Sequence, residues 1–73
     1  MTKIQIFINA ALGTFWIVRS NVDSKHVLTS GGKIGTAGYS RRLAFNGRGR
    51  DEIRGYVDGR IEMKLAKGFV QVA

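Results

Sequence analysis

DEIRGYVDGRIEMKLAKG, residues 51–68, is the stretch that decides the fold. Ile53, Val57, Ile61 and Leu65 recur every four residues, with Tyr56 at i+3 from Ile53, so one apolar stripe runs along a helix. Asp51 and Glu52 open the segment while Lys64 and Lys67 close it, the charge order that the helix macrodipole favours. Gly68 stands where a chain leaving a helix turns into the left-handed region. These signals predict a helix over residues 51–67. Gly55 and Gly59 lie inside it, and each costs about 1 kcal/mol relative to alanine. The helix must therefore be held by packing, with Ile53, Val57, Ile61 and Leu65 as the buried set.

Upstream the period is two. KIQIFIN (3–9) alternates, which places Ile4, Ile6 and Ile8 on the expected core face and Lys3, Gln5 and Asn9 on the other, with Phe7 breaking the polar side once. A turn over 10–14, centred on Gly13, leads to TFWIVRS (14–20). That strand is apolar on both sides, Phe15 and Ile17 on one and Trp16 and Val18 on the other, so it belongs in the middle of a sheet with cover above and below. Asn21, Asp23 and Ser24 form a turn before a short strand at 26–29. SGGKIGTAG (30–38) has glycine at 31, 32, 35 and 38 and reads as a loop with positive-φ positions. YSRRLAF (39–45) is a further strand with Tyr39, Leu43 and Phe45 on one face, Asn46 to Arg50 a second glycine-containing loop, and 69–72 a last short strand. The sum is one α+β domain over residues 1–73. A small antiparallel sheet of four to five strands packs against a single helix in the C-terminal half. The helix is expected against Ile4, Ile6, Phe15 or Trp16, and Leu43 or Phe45.

Composition removes most chemistry. The chain has no cysteine and one histidine, which excludes a disulfide, a thiolate zinc site, a cysteine nucleophile and a histidine-rich metal cage. Ser, His and Asp occur without informative spacing, and His26 beside Val27 reads as a packed or edge residue rather than a base. The Asp51–Glu52 and Asp58–Glu62 pairs read as first-turn and solvent-facing helix charges. In the glycine loop Gly32-Lys33 is followed by Ile34, which breaks the P-loop pattern, and its flanking strands do not suit a KH-type GXXG clamp. The expectation is a protein that is not an enzyme and takes no cofactor and no metal. Gln5, Asn9, Gly13 and Thr14 interrupt the apolar start, which argues against a signal peptide, and no run is long enough to span a membrane. A cytoplasmic protein with no membrane partner is expected.

Charge is the positive signal. Twelve Lys and Arg against five Asp and Glu give +7, with a pI near 10.6. Such an excess points to an acidic partner, most often nucleic acid. Residues 41–50 hold Arg41, Arg42, Arg48 and Arg50 and no acid, while Arg60, Lys64 and Lys67 share one helix stripe. Lys33 lies in the glycine loop, and Tyr39 is an aromatic beside Arg41 and Arg42, suited to stacking; Phe15 and Trp16 read as core. The candidate binding residues are therefore Lys33, Tyr39, Arg41, Arg42, Arg48, Arg50, Arg60 and Lys64.

The order of these pieces resembles the WGR domain. The likeness rests on Phe15-Trp16-Ile17 after a polar turn, Ile34-Gly35-Thr36-Ala37-Gly38, the lone Phe45 before the helix, and Lys64-Leu65-Ala66-Lys67-Gly68-Phe69-Val70. Such domains occur as small bacterial proteins and within DNA-dependent poly(ADP-ribose) polymerases. The resemblance implies an antiparallel sheet with one helix and contact with DNA. The name-giving Trp-Gly-Arg falls here on Gly31, Gly32 and Lys33, so the aromatic is missing and a point charge replaces the planar arginine fork. The expected function is a small basic module contacting nucleic acid through phosphates without sequence specificity, DNA ranked ahead of RNA. The alternative is a stand-alone interaction or inhibitor protein, of a phage or defence kind, whose basic face binds an acidic protein or nucleoprotein.

Overall fold

The strand with two apolar faces is the middle of the sheet. In the computed structural model, which describes residues 2–21, 23–45 and 47–73, the elements are β1 (Thr2–Asn9), β2 (Thr14–Asn21), β3 (His26–Lys33), β4 (Tyr39–Ala44), α1 (Arg50–Ala66) and β5 (Val70–Gln71). Met1, Val22 and Asn46, the last of these read above as the start of the second glycine loop, lie outside the described residues. The strands form one five-stranded sheet in the order β4-β3-β2-β1-β5, and every neighbouring pair is antiparallel. One helix against one antiparallel sheet is the α+β arrangement expected. Among the described residues no helix is long and apolar enough to cross a membrane.

Helix α1 covers one face of the sheet. Its core is Phe7, Trp16, Val18 and Val27 from the strands, Ile53 and Val57 from α1, and Phe69 after it. The face chosen on β1 differs from the expectation. Phe7 is fully buried, whereas Ile4 is 52% exposed and Ile6 and Ile8 are only half-buried. The reason lies in register. The β1–β2 hairpin sets Phe7 opposite Trp16 and Ile8 opposite Phe15. Shifting by one residue would exchange the two faces. The Phe7 and Trp16 rings meet at 5.4 Å between centroids, tilted by 48°, and this aromatic pair buries more area than Ile8 opposite Phe15, Ile6 opposite Ile17 or Ile4 opposite Arg19.

The same face carries a polar fastening that the alternation hid. Asn9 is 3% exposed; its Nδ2 donates to the Lys67 carbonyl at 3.1 Å, and its Oδ1 accepts from the Leu12 amide at 3.2 Å. One side chain thus ties the first turn to the end of α1. There Gly68 takes φ +98°, its amide donates to the Leu65 carbonyl, and the Phe69 amide donates to that of Lys64, which returns the chain into the core.

Two further expectations are corrected. Strand β3 runs on through Gly31 and Gly32 to Lys33, so the glycine loop shrinks to residues 34–38; the Thr36 hydroxyl closes it by donating to the Lys33 carbonyl at 2.7 Å. On α1, Ile53 and Val57 are buried, but Ile61 is half-buried and Leu65 is 49% exposed. Steps of four residues drift by about 40° each around a helix with 3.6 residues per turn. Three such steps carry Leu65 off the contact face, while the sequence 53, 57, 60, 64 stays on it. The sheet therefore meets Arg60 and Lys64 where isoleucine and leucine were expected. Ile53→Ala should cost about 2–5 kcal/mol in urea unfolding, and Leu65→Ala less than about 0.5 kcal/mol. Equal costs would contradict this roll of the helix.

Candidate nucleic-acid interface

Strand alternation divides the candidate residues before any contact is considered. On the helix side of the sheet, register aligns Phe7, Trp16, Gly31 and Tyr39 in one row and Gln5, Val18, Thr29 and Arg41 in the next. Thr14 and Lys33 face each other in the row beyond Gly31. Neighbouring rows and strands lie about 5–7 Å apart, so Lys33, Tyr39 and Arg41 form one cluster along the β3–β4 edge. Helix α1 supplies the opposite bank. Tyr56 meets Phe45, which follows β4, at 5.3 Å between ring centroids. Arg60 and Lys64 follow Tyr56 on the same side, one and two turns later.

By strand register and helix spacing, Lys33, Tyr39 and Arg41 border the sheet side, and Arg60 and Lys64 the helix side, of the groove that the C-terminal half of α1 makes with the sheet edge. Among the described residues none of its four cations pairs with a carboxylate. Tyr39 remains 54% exposed although its ring leans on the Gly31 backbone. Among the described residues the Arg60 Nε is buried without a hydrogen-bond partner. Lys64 holds its ammonium 5.4 Å from the Trp16 ring centre and 5.1 Å from that of Phe69. Partial burial, then the charges of Lys67 and Arg60, push its pKa below the ordinary lysine value. The aromatic faces offset part of that cost.

The other candidates lie elsewhere. Arg42 points from the opposite face of the sheet, with Nη2 3.4 Å from His26 Nε2. Arg48 pairs with Glu52 at 3.1 Å and Arg50 with Asp23 at 2.9 Å, both at the N-terminal end of α1. Such exposed pairs contribute at most about 1 kcal/mol, but they set these guanidiniums beside negative charge and away from the groove. A cleft on the far side of α1, between Lys3, Gln5 and Ser20 of the sheet and Arg54 and Asp58 of the helix, includes Arg50 and no other candidate. Among the described residues no cluster of three or more metal-ligating side chains occurs.

At Gly31, where the resemblance drawn from the sequence would place a tryptophan, the space is filled. Gly31 is a buried strand residue, and a Cβ there would lie 3.0 Å from the Tyr39 hydroxyl and 3.1 Å from the Phe15 carbonyl oxygen. Tyr39 occupies the space that a side chain at 31 would claim. Sequence reasoning also left Trp16 as plain core, whereas it forms the floor under Lys64; an aromatic and a lysine far apart in sequence give no local sign of that contact.

No family model matches the chain, and no curated protein matches it. Among solved structures it is similar to a Bacteroides fragilis protein whose crystal structure was determined as a structural-genomics target, with a TM-score of 0.73 and 25% identity. The match covers 100% of this chain and 20% of that one, so the chain spans about a fifth of that protein's length. That likeness concerns the fold.

Two outcomes follow from this geometry. Because Lys64 titrates lower in the folded chain than in the unfolded one, the folded state binds fewer protons between those two values. Relative to Lys64→Met, the natural chain should gain stability as the pH rises across that alkaline window, and level off above the ordinary lysine value. A pH series of thermal melts measures this, and a falling difference would contradict it. Gly31→Trp should destabilise by about 1–3 kcal/mol through overpacking, and Tyr39→Ala in the same chain should recover part of the loss.

Proposed function

We propose that the chain is a WGR-like, non-enzymatic module that holds nucleic acid by its phosphates without reading sequence. The observation that supports this best is the groove itself: four cations without carboxylate partners flank a half-exposed tyrosine, with no acid of α1 on the stripe that faces them. Phosphates suit such a surface, since each added anion relieves the mutual repulsion of Arg60, Lys64 and Lys67. Lys33, Arg41, Arg60 and Lys64 take the phosphates, and Tyr39 offers a face to a sugar or base. No helix is placed to read a major groove, because α1 lies along the sheet with its flank against β4. DNA in the cytoplasm is the proposed ligand, ahead of RNA.

Adjacent arginines make the test. With about four phosphates neutralised, log K for random-sequence duplex should fall against log salt with a slope near −3.6, about −0.9 per contact. Arg41→Gln should shallow that slope by about 0.9. Arg42→Gln removes the same charge from the other face and should leave it unchanged. Equal effects of the two variants, or no binding at low salt, would defeat the proposal.

A further inference from the structure

We propose that the uncovered face of the sheet is a docking surface for an acidic, amphipathic helix of a partner protein. This surface is separate from the groove and goes beyond the nucleic-acid reading.

Register assigns the side chains of this face. Val70, Ile8, Phe15 and Gly32 share one row, Ile6, Ile17, Ser30 and Ser40 the next, and Ile4, Arg19, Leu28 and Arg42 the third, so the apolar stripe runs over β5, β1 and β2 and reaches β3 at Leu28. The row of Ile4 carries two cations, Arg19 beside Ile4 on the central strand and Arg42 at the β4 edge, where it rests on His26. At the other end Ile8 continues round the sheet edge into a groove with Leu12, Val70 and Val72, which reaches Asn9 and Lys67 at the end of α1. Leu12 is 68% exposed, Val70 63%, Val72 56% and Ile4 52%. A contiguous apolar stripe three strands wide is not the solvent face of an ordinary antiparallel sheet, which alternates to polar residues. It is what such a sheet presents to a second layer.

The shape and the charge of that layer follow from the molecule. On its other face this sheet already seats a 17-residue helix over Phe7, Trp16, Val18 and Val27. Ile6, Ile8, Phe15, Ile17 and Leu28 are the corresponding positions on the open face, so a helix is the element that fits. No Asp or Glu lies among the strand residues of this face. Asp51, Glu52, Asp58 and Glu62 are all on α1, behind the sheet, and Asp23 is in the turn between β2 and β3. An occupant must meet Arg19 and Arg42 without help from the chain, which calls for carboxylates along one edge of its apolar stripe. A second copy does not supply them: its own open face brings two more arginines, and each chain carries +7.

The test uses a defined probe, an 18-residue peptide of leucine, alanine and glutamate with leucine at helical i, i+3, i+4 spacing, and its lysine-for-glutamate counterpart. Titrated into the isotope-labelled chain, the acidic peptide should shift amides of Ile6, Ile17, Leu28 and Ser30 and leave those of Arg60 and Lys64 in place. The lysine peptide should bind at least roughly tenfold more weakly. Arg19→Gln with Arg42→Gln should weaken the acidic peptide by a similar factor while leaving duplex affinity and its salt slope unchanged, which keeps this proposal separable from the groove. Ile4→Ser and Val70→Ser change residues that are already more than half exposed, so the fold survives them, as a thermal melt checks; both should weaken the peptide. Equal binding of the two peptides, shifts confined to the α1–β4 groove, no binding of the acidic peptide, or sedimentation of the chain as a dimer closed through this face would overturn the proposal.

Discussion

Trp16 joins the two layers, and most of the structure is arranged to bury it. The ring is 2% exposed, with Phe7 on one flank and the Lys64 stem above. On its other flank the partner strand carries Gly31, whose missing side chain leaves room for the Tyr39 ring. The choice of face on β1 follows from this, because only the register that pairs Phe7 with Trp16 gives the indole an aromatic neighbour. Seating of the helix follows too. Residues 53, 57, 60 and 64 form the strip that stays over one line, and the last of them must be long enough to lie across an indole and end in solvent. A lysine does that; a leucine in its place would be cut off from water only at its base.

The cations of the groove are thus placed by packing. Arg60 and Lys64 are interior-edge residues, each half-buried, whose charges are left on the same side of the sheet as those of Arg41 and Lys33. Desolvation and repulsion depress the Lys64 pKa, and the rings of Trp16 and Phe69 compensate in part. A cation held at some cost in the free protein is a cation whose binding of an anion carries an added return. The same reasoning separates Arg48 and Arg50 from this set, since each already has its carboxylate.

The helix, its charged ends, its terminating glycine and the central position of β2 were all legible in the sequence, because each is a local signal. The covered face of β1 was not. Three isoleucines against one phenylalanine favour the wrong side by simple counting, and Asn9 looked like a surface residue because its two hydrogen-bond partners lie in a turn and at the far end of α1. Gly31 and Gly32 looked like loop because glycine is counted as a breaker, whereas Gly31 is needed in a strand for the Tyr39 ring to lie over it. Of the binding candidates, the separation of Arg41 from Arg42 follows from the strand period alone, yet charge density grouped them. The Arg48–Glu52 pair is an i, i+4 contact readable on a helix, while the Arg50–Asp23 pair spans 27 residues and is visible only after folding.

The isoleucines that misdirected the reading of β1 also mark what the chain lacks. A strand apolar on both faces needs cover on both, and α1 supplies one layer only. What is left is a three-row stripe of aliphatic and aromatic side chains ending in Arg19 and Arg42, behind a sheet whose other side ends in Lys33, Arg41, Arg60 and Lys64. Six of the twelve cations are therefore divided by the sheet into two sets, four around an open tyrosine and two at the end of an apolar floor. Under the two proposals, the first set is met by phosphates without apolar contact and the second by carboxylates on an amphipathic helix. Because the sheet stands between the two sets, the proposed ligands share no residue, and occupying one surface leaves the other open.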